Sequence, residues 1–311
     1  MKNNLAFVFP GQGSQKIGML SELAAFNSIV EDTFSQASEV LGYDLWKMSQ
    51  EGSQEQINLT ERTQPLLLAS SVAVWRLWMN KNGAMPAVLA GHSLGEWSAL
   101  VCAGAVKFED AVGIVRSRGA LMQVAVPLGI GAMAAIIGLD DESICQSCTE
   151  ARGDEVVDAV NFNAPGQVVI AGSADAVGRA IELCKAAGAK RALPLPVSAP
   201  FHTSLMAPAA KGLTEQVRSV TFSAPEIPVI HNVHGQSESD PAAIKKLMLE
   251  QIYSPVRWVD CVLELRRRGA EQFVECGPGR VLSGLSKRIN REIVSFSTED
   301  VASLKNALAA V

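Results

Sequence analysis

Residues 87–101 read Ala-Val-Leu-Ala-Gly-His-Ser-Leu-Gly-Glu-Trp-Ser-Ala-Leu-Val. The short apolar run Ala87–Ala90 predicts a buried strand, and the residues after Gly95 predict a helix through about Val101. Between them, Gly91-His92-Ser93-Leu94-Gly95 fits G-x-S-x-G. A serine between glycines at a strand-to-helix turn is the layout of a nucleophile elbow. The five-residue pattern also fits a serine in an ordinary turn; the strand before it and the helix after it favour the elbow. Ser93 then projects at the head of a helix, whose free N–H groups stabilise a nearby anion.

Working outward, strand and helix patterns alternate from the start, which argues α/β. Leu5–Phe9 reads as a buried strand ending at Pro10-Gly11, followed by a helix near Ser21–Leu41 and another from Pro65 to about Met79. Glu109–Gln123 reads as a further helix. From about Gly129 to Val197 the rhythm changes to strand Ala132–Leu139, helix Asp141–Ala151, strands Val156–Asn161 and Val168–Ala171, helix Ala174–Ala187 and strand Arg191–Leu195. That β-α-β-β-α-β order is ferredoxin-like. It predicts a small domain, residues 129–197, inserted into a larger α/β domain built from residues 1–128 and 198–311. In the tail, a helix near Val256–Arg268, strand Gln272–Cys276, a helix after Gly277-Pro-Gly and strand Ile293–Phe296 return to α/β.

Composition narrows the function. The chain has 311 residues, 27 Lys plus Arg against 32 Asp plus Glu, and a net charge of −5. The acidic balance argues against nucleic acid as a partner. Six scattered cysteines suit free thiols in a reducing compartment, so a cytoplasmic protein is expected. Gly119–Leu139 carries no charge over 21 residues, but Pro127 and Gly129, Gly131 and Gly138 interrupt it, so no membrane span is expected.

A serine hydroxyl needs a base. The histidines are His92, His202, His231 and His234. His92 adjoins the serine and braces the elbow. His231 and His234, read on one strand, face opposite sides and make a poor metal pair. His202, in Ser-Ala-Pro-Phe-His-Thr where the small domain rejoins the large one, is the candidate base. Gly11-Gln12-Gly13-Ser14 opens like a dinucleotide fingerprint, but Lys16 stands where its third glycine belongs. The loop instead suits an oxyanion hole, giving one backbone N–H beside that of Leu94. Ala111, Val115, Arg118 and Met122 share a helical stripe, so Arg118 points inward, with Arg116 opposite. An inward guanidinium needs an anion, either a structural ion-pair partner or a substrate carboxylate held by its planar fork. Cys145-x-x-Cys148 is a lone pair in a helix and carries no metal or redox reading.

Taken together, Phe-Pro-Gly-Gln-Gly-Ser at 9–14, Thr-Gln-Pro at 63–65, Gly-His-Ser-Leu-Gly-Glu at 91–96 and Arg-Ser-Arg-Gly at 116–119 resemble the malonyl-CoA:acyl-carrier-protein transacylase family. Asn-Ala-Pro-Gly-Gln-Val-Val-Ile-Ala-Gly at 163–172, Phe-His at 201–202, Ser-Pro-Val-Arg-Trp at 254–258 and Gly-Pro-Gly at 277–279 extend the resemblance over nearly the whole chain. It implies an α/β-hydrolase-like large domain with an inserted ferredoxin-like one. It implies that Ser93 is acylated, that His202 is base and acid, that Gln12 and Leu94 supply the oxyanion hole, and that Arg118 binds the malonyl carboxylate. It further implies that the Gln251 carbonyl orients His202, that Phe201 walls the pocket, and that Gln64, His92 and Asn163 support the site. Cys276, His231 and His234 depart from the family pattern.

The expected reaction is ping-pong transfer of malonyl from malonyl-CoA to the pantetheine thiol of acyl carrier protein, with no cofactor or metal. Rival readings are a thioesterase or esterase using the same elbow, a trans-acting polyketide synthase acyltransferase, and a catalytically silent carrier-binding module. An acidic carrier needs a local basic patch, for which Lys190-Arg191 and Lys287-Arg288 are candidates and Arg266–Arg268 reads as a solvated helix end.

Overall fold

The computed structural model describes residues 2–197 and 199–311, so the expected return to the large domain at position 198 begins at a residue outside that set. In chain order the strands among the described residues are β1 (Lys2–Phe9), β2 (Pro86–Gly91), β3 (Gly131–Ile137), β4 (Val157–Ala164), β5 (Gln167–Ser173), β6 (Arg191–Pro194), β7 (Val229–Ile230), β8 (Gln272–Glu275) and β9 (Val294–Ser297). They form two sheets, one of order β7-β2-β1-β8-β9 and one of order β4-β5-β3-β6.

The first sheet is parallel in every pairing. Its central strands are apolar on both faces because helices cover both. Side-chain alternation divides them: Leu5, Phe7, Phe9 and Leu89 belong to one core, and Ala6, Val8, Val88 and Ala90 to another on the opposite face. Phe7 packs edge-on against Trp75 and Trp78, with ring centroids 5.3 and 5.1 Å away, which anchors the helix Thr60–Asn80 to the sheet.

The second sheet is antiparallel, with β3 between β5 and β6 and β4 at the far edge of β5. This is the ferredoxin-like arrangement. Ala134, Ile136, Val168 and Ile170 face the helices Asp141–Arg152 and Ala174–Ala186, whereas Met133, Val169 and Ala171 join the large core. β4 is also stitched to the segment before the helix Trp258–Arg267: Phe162 N–H donates to the Val256 carbonyl at 3.0 Å and Val256 N–H to the Val160 carbonyl at 2.8 Å.

Three elements differ from the sequence expectation. The helix expected over Ser21–Leu41 is two, Ser21–Phe26 and Ile29–Leu41. Asn27 is extended between them, and its side-chain oxygen accepts from Ile29 N–H at 3.0 Å; this local cap competes with a continuous helix. The helix expected to start at Pro65 starts at Thr60 and runs through the proline. The run around His231 is a strand only at Val229–Ile230 and then turns, with Gly235 N–H donating to the His231 carbonyl. The uncharged stretch 119–139 divides into the end of the helix Phe108–Val124, a loop and β3. Among the described residues no helix is long and apolar enough to cross a membrane.

Candidate active site

Ser93 follows β2 and precedes the helix Leu94–Cys102, with φ 51° and ψ −105°. A non-glycine residue takes this backbone only when its surroundings impose it. They do so by close approach: a Cβ on Gly91 would lie 1.9 Å from the Gly95 carbonyl carbon, and one on Gly95 2.0 Å from the Phe9 carbonyl oxygen. Only glycine fits at either position. Asn232 adds a brace, its side chain accepting from Ser93 N–H at 2.7 Å and donating to the Gly91 carbonyl at 2.8 Å.

His202 arrives from the other side of the cleft, with its ring Nε2 2.8 Å from Ser93 Oγ and Nδ1 2.8 Å from the Gln251 carbonyl. A carbonyl only accepts, so Nδ1 carries the proton and Nε2 presents its lone pair to the serine hydroxyl. The pair therefore has the polarity a general base requires. Burial, reinforced by the Arg118 guanidinium, pushes the imidazole down to about 3.

Arg118 is 1% exposed, on the helix Phe108–Val124, while Arg116 on the same helix is exposed. Its Nη1 donates to Gln64 Oε1 at 2.8 Å, and its Nη2 to Gln251 Oε1 at 2.9 Å and to Ser93 Oγ at 3.3 Å. Among the described residues it has no carboxylate partner, and its buried Nε has no acceptor. Of the two fates left open by the sequence, the internal ion pair is therefore ruled out. Burial lowers the guanidinium to about 10, so it stays charged near neutral pH.

These groups face a cleft of about 510 Å³. Gln12, Leu94 and Phe201 line it from the large sheet's side, and Met133, Asn161 and Leu195 from the small sheet's side. Leu94 N–H heads the helix after Ser93, and neither it nor Gln12 N–H finds a hydrogen-bond partner among the described residues. His92 points away from the serine, its Nε2 2.8 Å from Asn163 Oδ1 and its ring 5.6 Å from that of Trp258. Burial lowers its pKa.

The opposite-faces argument for His231 and His234 does not hold. Both lie in the turn after β7, their rings 6.0 Å apart. Even so, no cluster of metal-ligating groups occurs among the described residues. Cys145 is exposed and Cys148 buried, both as free thiols. Arg267 and Arg268 pair with Glu264 and Arg266 with Glu292, whereas Lys190, Arg191, Lys287 and Arg288 are exposed.

Sequence reasoning gave no role to Asn232 or to Glu96. Glu96 is fully buried and bonded to His231, Asn232 and Gln251. A signal existed for Glu96, the sole charged residue of the helix Leu94–Cys102; Asn232 offered none, because its partners are about 140 positions away.

A family model described as acyl transferase domain matches residues 6–305. The chain belongs to the acyl transferase family. Malonyl CoA-acyl carrier protein transacylase of Salmonella typhimurium is 55% identical to this acyl transferase over 97% of its length and 98% of the relative's. The crystal structure of an acyl carrier protein S-malonyltransferase from Vibrio cholerae is 57% identical, covers 97% of this chain and 99% of its own, and superposes with a TM-score of 0.96. A type II PKS acyl-carrier protein in complex with its malonyl-transacylase offers another likeness, at 52% identity, TM-score 0.98, and coverage of 99% of this chain and 100% of that one.

Proposed function

We propose that this acyl transferase moves a malonyl group from malonyl-CoA to the pantetheine thiol of acyl carrier protein through malonyl-Ser93, supplying fatty acid synthesis. One observation carries the choice of acyl group: a buried guanidinium without a carboxylate partner among the described residues, 3.3 Å from the Ser93 hydroxyl. Such a charge is costly unless an anion answers it, and the malonyl carboxylate is that anion. The relatives named malonyl transacylases, similar along their whole length, support the same reading.

In the first half-reaction Ser93 Oγ attacks the thioester carbonyl while His202 Nε2 takes its proton. Backbone N–H groups of Gln12 and Leu94 hold the oxyanion, and Asn163 steadies His92 beside the elbow. The tetrahedral intermediate then expels the CoA sulfur, which receives the proton from His202. In the second half the carrier thiol attacks malonyl-Ser93, His202 takes the thiol proton, and Ser93 leaves with it. The Gln251 carbonyl stabilises the imidazolium in both halves. The substrate carboxylate, by cancelling the guanidinium's field, makes His202 more basic once substrate is bound. The exchange transfers no electrons, so we assign it no cofactor, and the free thiols and acyl-CoA substrate suit a cytoplasmic setting. We assign residues 129–197 to the inserted domain and Lys190-Arg191 and Lys287-Arg288 to the carrier-docking side.

Incubating the protein with malonyl-CoA, with and without carrier protein, tests transfer against hydrolysis by intact mass. Malonyl-carrier should form only in the first mixture, and equal release of free malonate in both would establish a thioesterase instead. The low pKa of His202 sets a second expectation. Because kcat/KM reports the free enzyme, it should stay level from about pH 7 down to about pH 5, with no inflection near the ordinary histidine value of about 6.5. A fall centred there would show a solvated imidazole.

A further inference from the structure

Behind the reacting groups lies a buried cluster that the transfer steps leave unused. The Glu96 carboxylate accepts from three donors, His231 Nδ1 at 2.7 Å, Asn232 N at 3.0 Å and Gln251 Nε2 at 2.8 Å. No lysine or arginine pairs with it among the described residues. Two of its donors belong to residues that hold the machinery by their other atoms. Asn232 grips the elbow across His92, at the Gly91 carbonyl and Ser93 N–H. Gln251 donates to the Ser93 carbonyl at 2.9 Å, accepts from Arg118 through Oε1 and accepts from His202 through its backbone carbonyl.

A carboxylate only accepts, so Glu96 joins the Ser93 carbonyl in setting the sense of the Gln251 amide. With Nε2 drawn to Glu96, Oε1 must face Arg118. The reversed amide would set its N–H groups against those of the guanidinium and against no acceptor at Arg118. With Oε1 inward, Arg118 is held between two neutral acceptors, Gln64 and Gln251, which fix its fork without cancelling its charge.

We propose that Glu96 is a positioning residue for malonyl selection: through the Gln251 amide it keeps Arg118 aimed and out of direct contact with a carboxylate, and through Asn232 it holds the elbow. This rests on Arg118 reading the malonyl carboxylate. With glutamine at 96 that acceptor-only partner is gone, and the sense of the amide rests on the Ser93 carbonyl and Arg118 alone, so the ordering weakens.

The test compares kcat/KM for malonyl-CoA and acetyl-CoA, with melting temperature as the measure of folding. Glu96→Gln should lower the malonyl-to-acetyl ratio about tenfold, the worth of one hydrogen bond to a charged group. Glu96→Asp, still an acceptor only, should retain the ratio. Equal falls for both acyl groups in Glu96→Gln would mean a structural role alone and overturn the proposal. If Glu96→Gln does not fold, the exchange Glu96→Gln/Gln251→Glu keeps the cluster's charge but gives Arg118 a carboxylate; its ratio should collapse, and an unchanged ratio overturns the proposal. Arg118→Ala separates the two levels. An unchanged ratio there removes the carboxylate reader and this proposal with it, while a ratio that collapses there but is unmoved in Glu96→Gln removes Glu96 alone.

Discussion

Ser93→Ala should leave the protein folded and without a malonyl adduct, with carrier transfer down by roughly 10⁴-fold or more. The backbone at 93 is held by glycine contacts and by Asn232, none of which involves the hydroxyl. Alanine therefore keeps the elbow and removes only the nucleophile. His202 Nε2 loses its partner but faces an open cleft, where water takes the place of Oγ. Intact mass after malonyl-CoA, together with the transfer rate, reads the outcome. A malonyl adduct that persists in the variant would place the covalent intermediate on another residue and end the Ser93 mechanism. Residual turnover without an adduct would mean direct transfer between thioester and thiol, aided by the oxyanion donors.

Arg118→Ala carries the other large effect. Malonyl transfer should fall about 10³-fold, ~4 kcal/mol, typical of breaking a buried charge pair. Acetyl transfer should fall far less, since an acetyl group never used the guanidinium. Stability moves by competing amounts: two amide oxygens, at Gln64 and Gln251, lose their donor, while an uncompensated buried charge disappears. Melting temperature follows that balance, and the ratio of acyl groups reads the function free of it. Equal falls for malonyl and acetyl would mean that Arg118 does not read the carboxylate.

What the sequence disclosed follows the range of the forces involved. The elbow was legible because its determinants, an apolar strand, two glycines and a helix, are neighbours in the chain. Arg118 was legible as inward because helical periodicity is local, but its lack of an ion-pair partner was not, since that depends on elements 54 and 133 positions away. Few histidines exist, which made His202 stand out, whereas its carbonyl partner on Gln251 came only through family resemblance. The ferredoxin-like order was readable from alternating periodicity and turns. The break at Asn27 was not, since it rests on one side chain capping Ile29. The strand read around His231 was legible in place but not in length: β7 keeps two residues, paired to β2 at Leu89 and Ala90.

The parallel sheet also divides tolerance for change between its ends. At the carboxyl ends of β1, β2 and β8 the backbone is packed to contact: a methyl on Gly11 would meet the His92 carbonyl oxygen at 2.5 Å, and one on Gly277 the Ser71 hydroxyl at 2.7 Å. At the opposite end the chain re-enters through exposed turns such as 267–269, which have open space around them, while the φ of 94° at Gly269 itself keeps that one position for glycine. Evolutionary drift, tags and grafted segments belong at that end, well away from the chemistry.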